Sequence, residues 1–221
     1  MRLFPALRIG VLIAAFGLSA QGQGTPAKTE PLNEAKGMPP RASPDEYQAK
    51  AQAGTVTVAA EYTGHSVPTP DGTFATDDYV VVETALFGPP GARIKLSPGD
   101  FSLRLNDRKN PLPSQPYQVV ARTLKDPEWS PPVTEESKSK TGISGSGKSA
   151  DSEPLAPVRM PIPLQLAMEQ HVQKVVMLEG DRALPQAGLL FFEYRGKAKN
   201  IHSVELIYAG PAGKATLTLQ P

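Results

Sequence analysis

The segment Tyr79-Val80-Val81-Val82-Glu83-Thr84-Ala85-Leu86-Phe87 constrains this chain more than any other. Apolar side chains occupy both its odd and its even positions, so an extended backbone would carry two apolar faces. A strand of that kind must be covered on both sides, which makes it a central strand. Gly88-Pro89-Pro90-Gly91 breaks it.

Its neighbours are short strands between turn signals. Thr55 to Tyr62 alternates with period two. Phe101, Leu103 and Leu105 point one way while Ser102 and Arg104 point the other, and Asn106-Asp107 ends that strand. Arg93 to Leu96 is a brief pairing segment. Leu189 to Tyr194, Ile201 to Tyr208, and Ala215-Leu217-Leu219 form three late strands, which predict a meander or part of a Greek key. Seven or so short strands with frequent turns define the predicted class as mainly β, an immunoglobulin-like antiparallel β-sandwich. Val80 with Val82, and Leu189 with Phe191, are expected to share one core layer with Phe101, Leu103, Leu206 and Leu217. The two most apolar strands are expected to lie one in each sheet.

Two accessory helices are predicted. Ser43-Pro44-Asp45-Glu46 is a helix start that runs to Ala53 and stops at Gly54. Leu164, Met168, Val172 and Val175 fall on one helical stripe, though the tail Lys174 to Leu178 fits a strand equally well. The stretch Gly64 to Asp78 reads as a loop. Pro111 to Pro132 reads as an irregular crossing, with Trp129 closing one end of the core.

The 24 prolines and 19 glycines concentrate outside these strands. Arg2 and Arg8 flank a charge-free run from Ile9 to Ala20, followed by small residues suited to cleavage; this is the secretory pattern, and the run is shorter than the roughly 20 residues needed to span a bilayer. The expected organisation is a signal peptide over 1–22, a disordered linker over 23–42, and a sandwich domain over 43–221 with a flexible Ser/Lys/Gly insertion at 135–153. The expected location is periplasmic or secreted, with no membrane span left after cleavage. There are no cysteines, which excludes disulfides and thiolate metal sites. The formal charge of +1 falls to −1 without Arg2 and Arg8, so nothing resembles the basic footprint of a nucleic-acid binder.

The long apolar strand (Tyr79 to Val82), the Phe101-Leu103-Leu105 strand, the Gly188-Leu189-Phe191 strand and the Val204-Leu206-Tyr208 element together resemble a group of exported bacterial immunoglobulin-like domains of unknown function. The likeness spans about residues 55–110 and 185–219. It implies a fold, and a fold does not assign an activity.

Gly142 to Ser149 matches the phosphate-binding pattern G-x-x-x-x-G-K-S in full. That chemistry needs a buried strand before the loop and a helix after it. Here Glu135 to Lys140 is too charged for the strand, Pro154 and Pro157 oppose the helix, and an exported chain meets little ATP. The match is read as composition, and no cofactor is expected. His65, Asp71, Asp77 and Asp78 crowd one stretch, which suggests either a solvated turn or an oxygen-rich calcium loop. His202 is expected at a core margin, and His171 beside the apolar stripe of its helix. Arg195, Lys197 and Lys199 make a basic tip, which reads first as a solvated hairpin turn and second as a surface for acidic envelope polymers or lipid head groups. The favoured function is an exported cell-envelope binding or structural module with no catalytic site, whose partner is an envelope protein or polymer. The alternative is a secreted metal-dependent hydrolase built on His65, Asp71, Asp77 and Asp78.

Overall fold

The computed structural model describes residues 37–130 and 160–221. The predicted signal peptide, most of the predicted linker, the 135–153 insertion and the Gly142–Ser149 motif lie outside the described residues.

The fold is mainly β. Its strands are β1 (Ala49–Ala53), β2 (Val56–Gly64), β3 (Ser66–Thr69), β4 (Gly72–Thr76), β5 (Tyr79–Phe87), β6 (Arg93–Leu96), β7 (Phe101–Leu105), β8 (Leu112–Gln115), β9 (Leu124–Lys125), β10 (Gly180–Ala183), β11 (Gln186–Glu193), β12 (Val204–Gly210) and β13 (Gly213–Leu219). Two helices join them, α1 (Tyr117–Ala121) and α2 (Ile162–Gln173).

Eight strands form one antiparallel ladder in the order β1-β2-β5-β11-β8-β7-β12-β13. The ladder folds over at β8. Leu112 and Pro113 pair with β7, while Ser114 and Gln115 pair with β11. A strand that changes sheet in mid-course makes the corner of a sandwich, and Pro113, which cannot donate to a ladder, suits that short crossing. On the far side β1 packs near β13, giving a sandwich with barrel-like closure.

The main core lies between the two halves. Val58, Ala60, Val80, Val82, Leu190 and Phe192 meet Phe101, Leu103, Val204, Leu206, Tyr208 and Leu217. A second core covers the outer face of the β5–β11 pair. There Tyr79, Val81, Leu189 and Phe191 are buried under Val172, Val175, Val176, Val120 and Val67. These come from α2 and the segment after it, α1, and the small β3-β4-β9 sheet. Central strand β5 is thus buried on both faces, as its sequence demands.

Several expectations need correction. β5 and β11 are hydrogen-bonded neighbours in one sheet, not members of opposing sheets. Val80 and Val82 do face the core of Phe101, Leu103, Leu206 and Leu217, but Leu189 and Phe191 point the other way; Leu190 and Phe192 take the inner positions. β11 is apolar on both faces, so its sequence carries no phase. The three late strands are not a meander, because β12 pairs with β7 and β13 and not with β11.

Ser43 caps as expected, accepting from the Asp45 amide, and Pro44 opens a helical turn. That turn is a 3-10 turn ending at Glu46, and Ala49-Lys50-Ala51-Gln52-Ala53 is the edge strand β1. Its alternation satisfies strand period as well as helix propensity, and pairing with β2 decides between them. Residues 37–42, assigned to the linker, are packed: Met38 joins the second core and Arg41 binds Glu83. Gly64 to Asp78 is not a loop but a hairpin turning at Pro70-Asp71. The Pro111–Pro132 crossing contains β8, α1 and β9. Trp129 is only half-buried and joins none of the core clusters. The stripe Met168, Val172, Val175 is buried as read, while Val176, beyond α2, forms a single parallel bridge to Leu189.

Candidate functional site

The crowding of His65, Asp71, Asp77 and Asp78 in sequence survives folding only in part: His65 and Asp77 line one cleft, while Asp71 is carried away from them. His65 stands at the base of the β3–β4 hairpin and Asp71 at its tip. Four strand residues separate them, a span of about 13 Å. Asp71 instead meets Nδ1 of His171 on α2 at 2.5 Å, tying the hairpin tip to the helix. Asp77 pairs with Lys125 of β9, and Asp78 lies 4.0 Å from Arg195. Each carboxylate therefore has its own basic partner. Among the described residues no three His, Asp or Glu side chains converge on a point where a metal ion could sit.

His65 shares a cleft of about 390 Å³ with Asp77, Arg195, Gly196, Lys197 and Ala198. Its ring stacks on Tyr194 with centroids 6.3 Å apart, and its Nδ1 is buried without a hydrogen-bond partner among the described residues. The Tyr62 hydroxyl is likewise buried and unpartnered. Burial, reinforced by nearby Tyr194, pushes the Tyr62 pKa above its ordinary value. The raised pKa keeps the Tyr62 hydroxyl protonated at neutral pH.

The basic tip has more structure than its sequence suggests. On the other side of Arg195 and Gly196 lies a second cleft, about 440 Å³, lined by Asn106, Arg108, Glu193, Tyr194 and Asn200. Asn106 joins the two loops that form it. Its Nδ2 donates to the Asn200 carbonyl at 2.7 Å, and its Oδ1 accepts from the His202 amide at 2.7 Å and the Ser203 amide at 3.3 Å. Its own amide donates to the Ser203 carbonyl. Asn106 and Asp107 adopt φ of 52° and 55°, the left-handed region that Asn and Asp tolerate best among residues with a side chain.

This staple brings Arg108 and Lys109, from the loop after β7, beside Arg195, Lys197 and Lys199, from the loop after β11. All five are exposed. Arg195 is engaged with Glu193 at 3.1 Å and with Asp78. Arg108, Lys109, Lys197 and Lys199 have no carboxylate partner among the described residues. Such a surface attracts anions by its field and holds them by charge-assisted hydrogen bonds. His202 is exposed beside it, and not at the core margin where its sequence neighbours suggested.

The sequence identified Arg195, Lys197 and Lys199 but not Arg108, Lys109 or the Asn106 staple. The left-handed Asn106-Asp107 pair is the signal that points to them, because it turns the β7 loop towards that end. Comparison with protein-family models, curated proteins and solved structures finds no match to this chain.

Proposed function

We propose that the chain is an exported bacterial cell-envelope protein, an immunoglobulin-like sandwich that works as a binding module rather than an enzyme, and that it engages an acidic envelope polymer through the Arg195–Lys199 end. The leader-like N-terminal pattern supports export. The two facing sheets and the order of their strand motifs support the immunoglobulin-like reading. One observation carries the binding reading: Asn106 clamps two loops from different halves of the sandwich so that five cations face solvent together, four of them unpaired among the described residues.

The test is retention of the purified full chain on immobilised inorganic polyphosphate across a salt gradient. Retention at low salt and release by about 0.5 M salt is expected, because exposed charges are screened there. Charge reversal at Arg108, Lys197 and Lys199 together should weaken binding by at least about tenfold, a loss of about 1.4 kcal/mol. Reversal of Lys214, on β13 and away from these clefts, should leave it unchanged. Equal losses from both variants, or none from either, would remove the basic end from the account.

A further inference from the structure

β11 has two different neighbours on the edge facing away from β5. At Leu189 the chain after α2 lies parallel, with the Leu189 amide donating to the Val175 carbonyl at 2.8 Å and the Met177 amide to the Leu189 carbonyl at 3.1 Å. At Phe191 and Phe192 the neighbour is β8, running antiparallel. The two neighbours then part. One continues through Leu178 and Glu179 towards β10, and the other turns at Pro116 into α1. The gap between them is a cleft of about 350 Å³. That volume lies within the range of small-molecule sites, which are mostly apolar with a few placed polar groups.

The lining fits that description. Leu189 and Phe191 contribute from β11, Val176 and Met177 from one bank, and Pro116 and Tyr117 from the other. Four polar side chains complete it: Gln115, Gln118, Gln173 and Glu179. Glu179 is the one charged residue in the lining; Arg182 donates from Nε to its backbone carbonyl at 3.0 Å, and its carboxylate makes no ion pair among the described residues. The three glutamine amides make no side-chain hydrogen bond among the described residues. The walls are fixed by backbone contact: a Cβ on Gly188 would strike the Val176–Met177 backbone, so the parallel bank is seated as closely as two chains allow.

We infer that this cleft is a binding site for a small organic ammonium ion with an apolar, aromatic-sized body. An ammonium group would complement the lone carboxylate of Glu179, and the glutamine oxygens can accept its remaining protons. The faces of Tyr117 and Phe191 carry the negative π-density that favours a cation over an anion of equal size. The body of such a ligand would restore packing contacts that the open cleft leaves unmade. The site is separate from the basic end and selects the opposite charge, so the two readings stand or fall independently.

Phenethylammonium and phenylacetate share a ring and nearly a shape but differ in charge. The full chain is titrated with each, following amide chemical shifts and melting temperature. The cation is expected to bind, to move the amide signals of Gly188 to Phe191, and to raise the melting temperature; the anion should do neither. Glu179→Gln should weaken the cation at least about tenfold, the value of one charge-assisted contact. Gln173→Trp, at an exposed position on the rim, should obstruct the cleft and abolish binding without lowering the melting temperature of the free protein. The inference is overturned if the two probes bind alike, if the cation perturbs other residues only, if no binding is seen at the solubility limit, or if both variants bind like the parent.

Discussion

Glu61 on β2 and Glu83 on β5 stand directly opposite each other, a like-charge cross-strand pair that on its own opposes folding. Arg41 resolves it. Its guanidinium forms an ion pair with Glu61, reaches both Glu83 oxygens at 3.2 and 2.9 Å, donates to the Glu46 carbonyl at 2.6 Å, and lies 4.5 Å over the Tyr47 ring. Burial works against its charge, but the hydrogen bonds to Glu61 and Glu83 and their fields outweigh it and raise its pKa above the ordinary value. Arg41→Met should cost about 2 kcal/mol, the scale of a charged hydrogen-bond set reduced by partial exposure. Adding Glu61→Gln should return part of that loss. Urea denaturation of the single and double variants checks both, and equal midpoints for parent and Arg41→Met would mean the cluster is idle. Nothing local in the sequence reveals this contact. Arg41 sits in a polar, proline-rich stretch that reads as a linker, and its partners lie on strands far along the chain. The opposite error occurs at His65 and Asp71, sequence neighbours that a hairpin carries to its two ends.

At the scale of elements, period and composition were legible but phase was not. The two-faced apolarity of Tyr79–Phe87 correctly demanded a central strand, and the stripe through Met168 and Val172 correctly demanded a helix packed on one side. On β11 the same two-faced apolarity hides which residues look inward, so the pattern points Leu189 and Phe191 to the core that Leu190 and Phe192 fill. Gly188 marks why β11 is also covered on its free edge. The Val176–Met177 backbone passes where a Cβ would stand, and Ala at 188 has no flexible neighbour to displace. Gly188→Ala should therefore cost about 3 kcal/mol, at the upper end of ordinary overpacking. Gly99→Ala, whose Cβ would meet only the Ser97 hydroxyl at 3.4 Å, should change stability by less than about 0.5 kcal/mol. Chemical denaturation of the two variants side by side measures the difference, and a tolerant Gly188 would show that the bank beyond α2 yields easily.

The whole molecule has no disulfide to hold it, so its stability comes from burial and its weakness from whatever must ionise inside. Four of its tyrosines share that weakness. Tyr208 is fully buried, 5.0 Å from the Phe101 ring. Tyr47 and Tyr79 are nearly so, and the hydroxyl of Tyr62 is sealed from solvent. Burial is the leading cause that raises the pKa of all four. The acidic neighbours Glu193 and Asp78 add to the effect at Tyr79, and Asp100 adds to it at Tyr208. Below pH 10 these hydroxyls are neutral in both the folded and the unfolded chain, and they contribute no pH dependence. Above it the unfolded chain releases their protons while the folded chain retains them, so stability falls as pH rises from about 10 towards the folded-state values. Each tyrosine lowers the unfolding free energy by about 1.4 kcal/mol per pH unit in that window. Four together give a slope on the order of 5 kcal/mol per unit, enough to exhaust a stability of about 5–15 kcal/mol within one to three units. Urea midpoints measured from about pH 8 to pH 11.5 should therefore hold level and then drop steeply. Tyr208→Phe removes one titrating group, and among the described residues its hydroxyl has one hydrogen bond, a long one of 3.4 Å from the Ala212 amide. That variant should match the parent closely at pH 8 and fall less steeply above pH 10, by about 1.4 kcal/mol per unit. A parent whose midpoint stays level to pH 11.5 would mean that the buried hydroxyls reach water in the folded state, and that the core is looser than its packing implies.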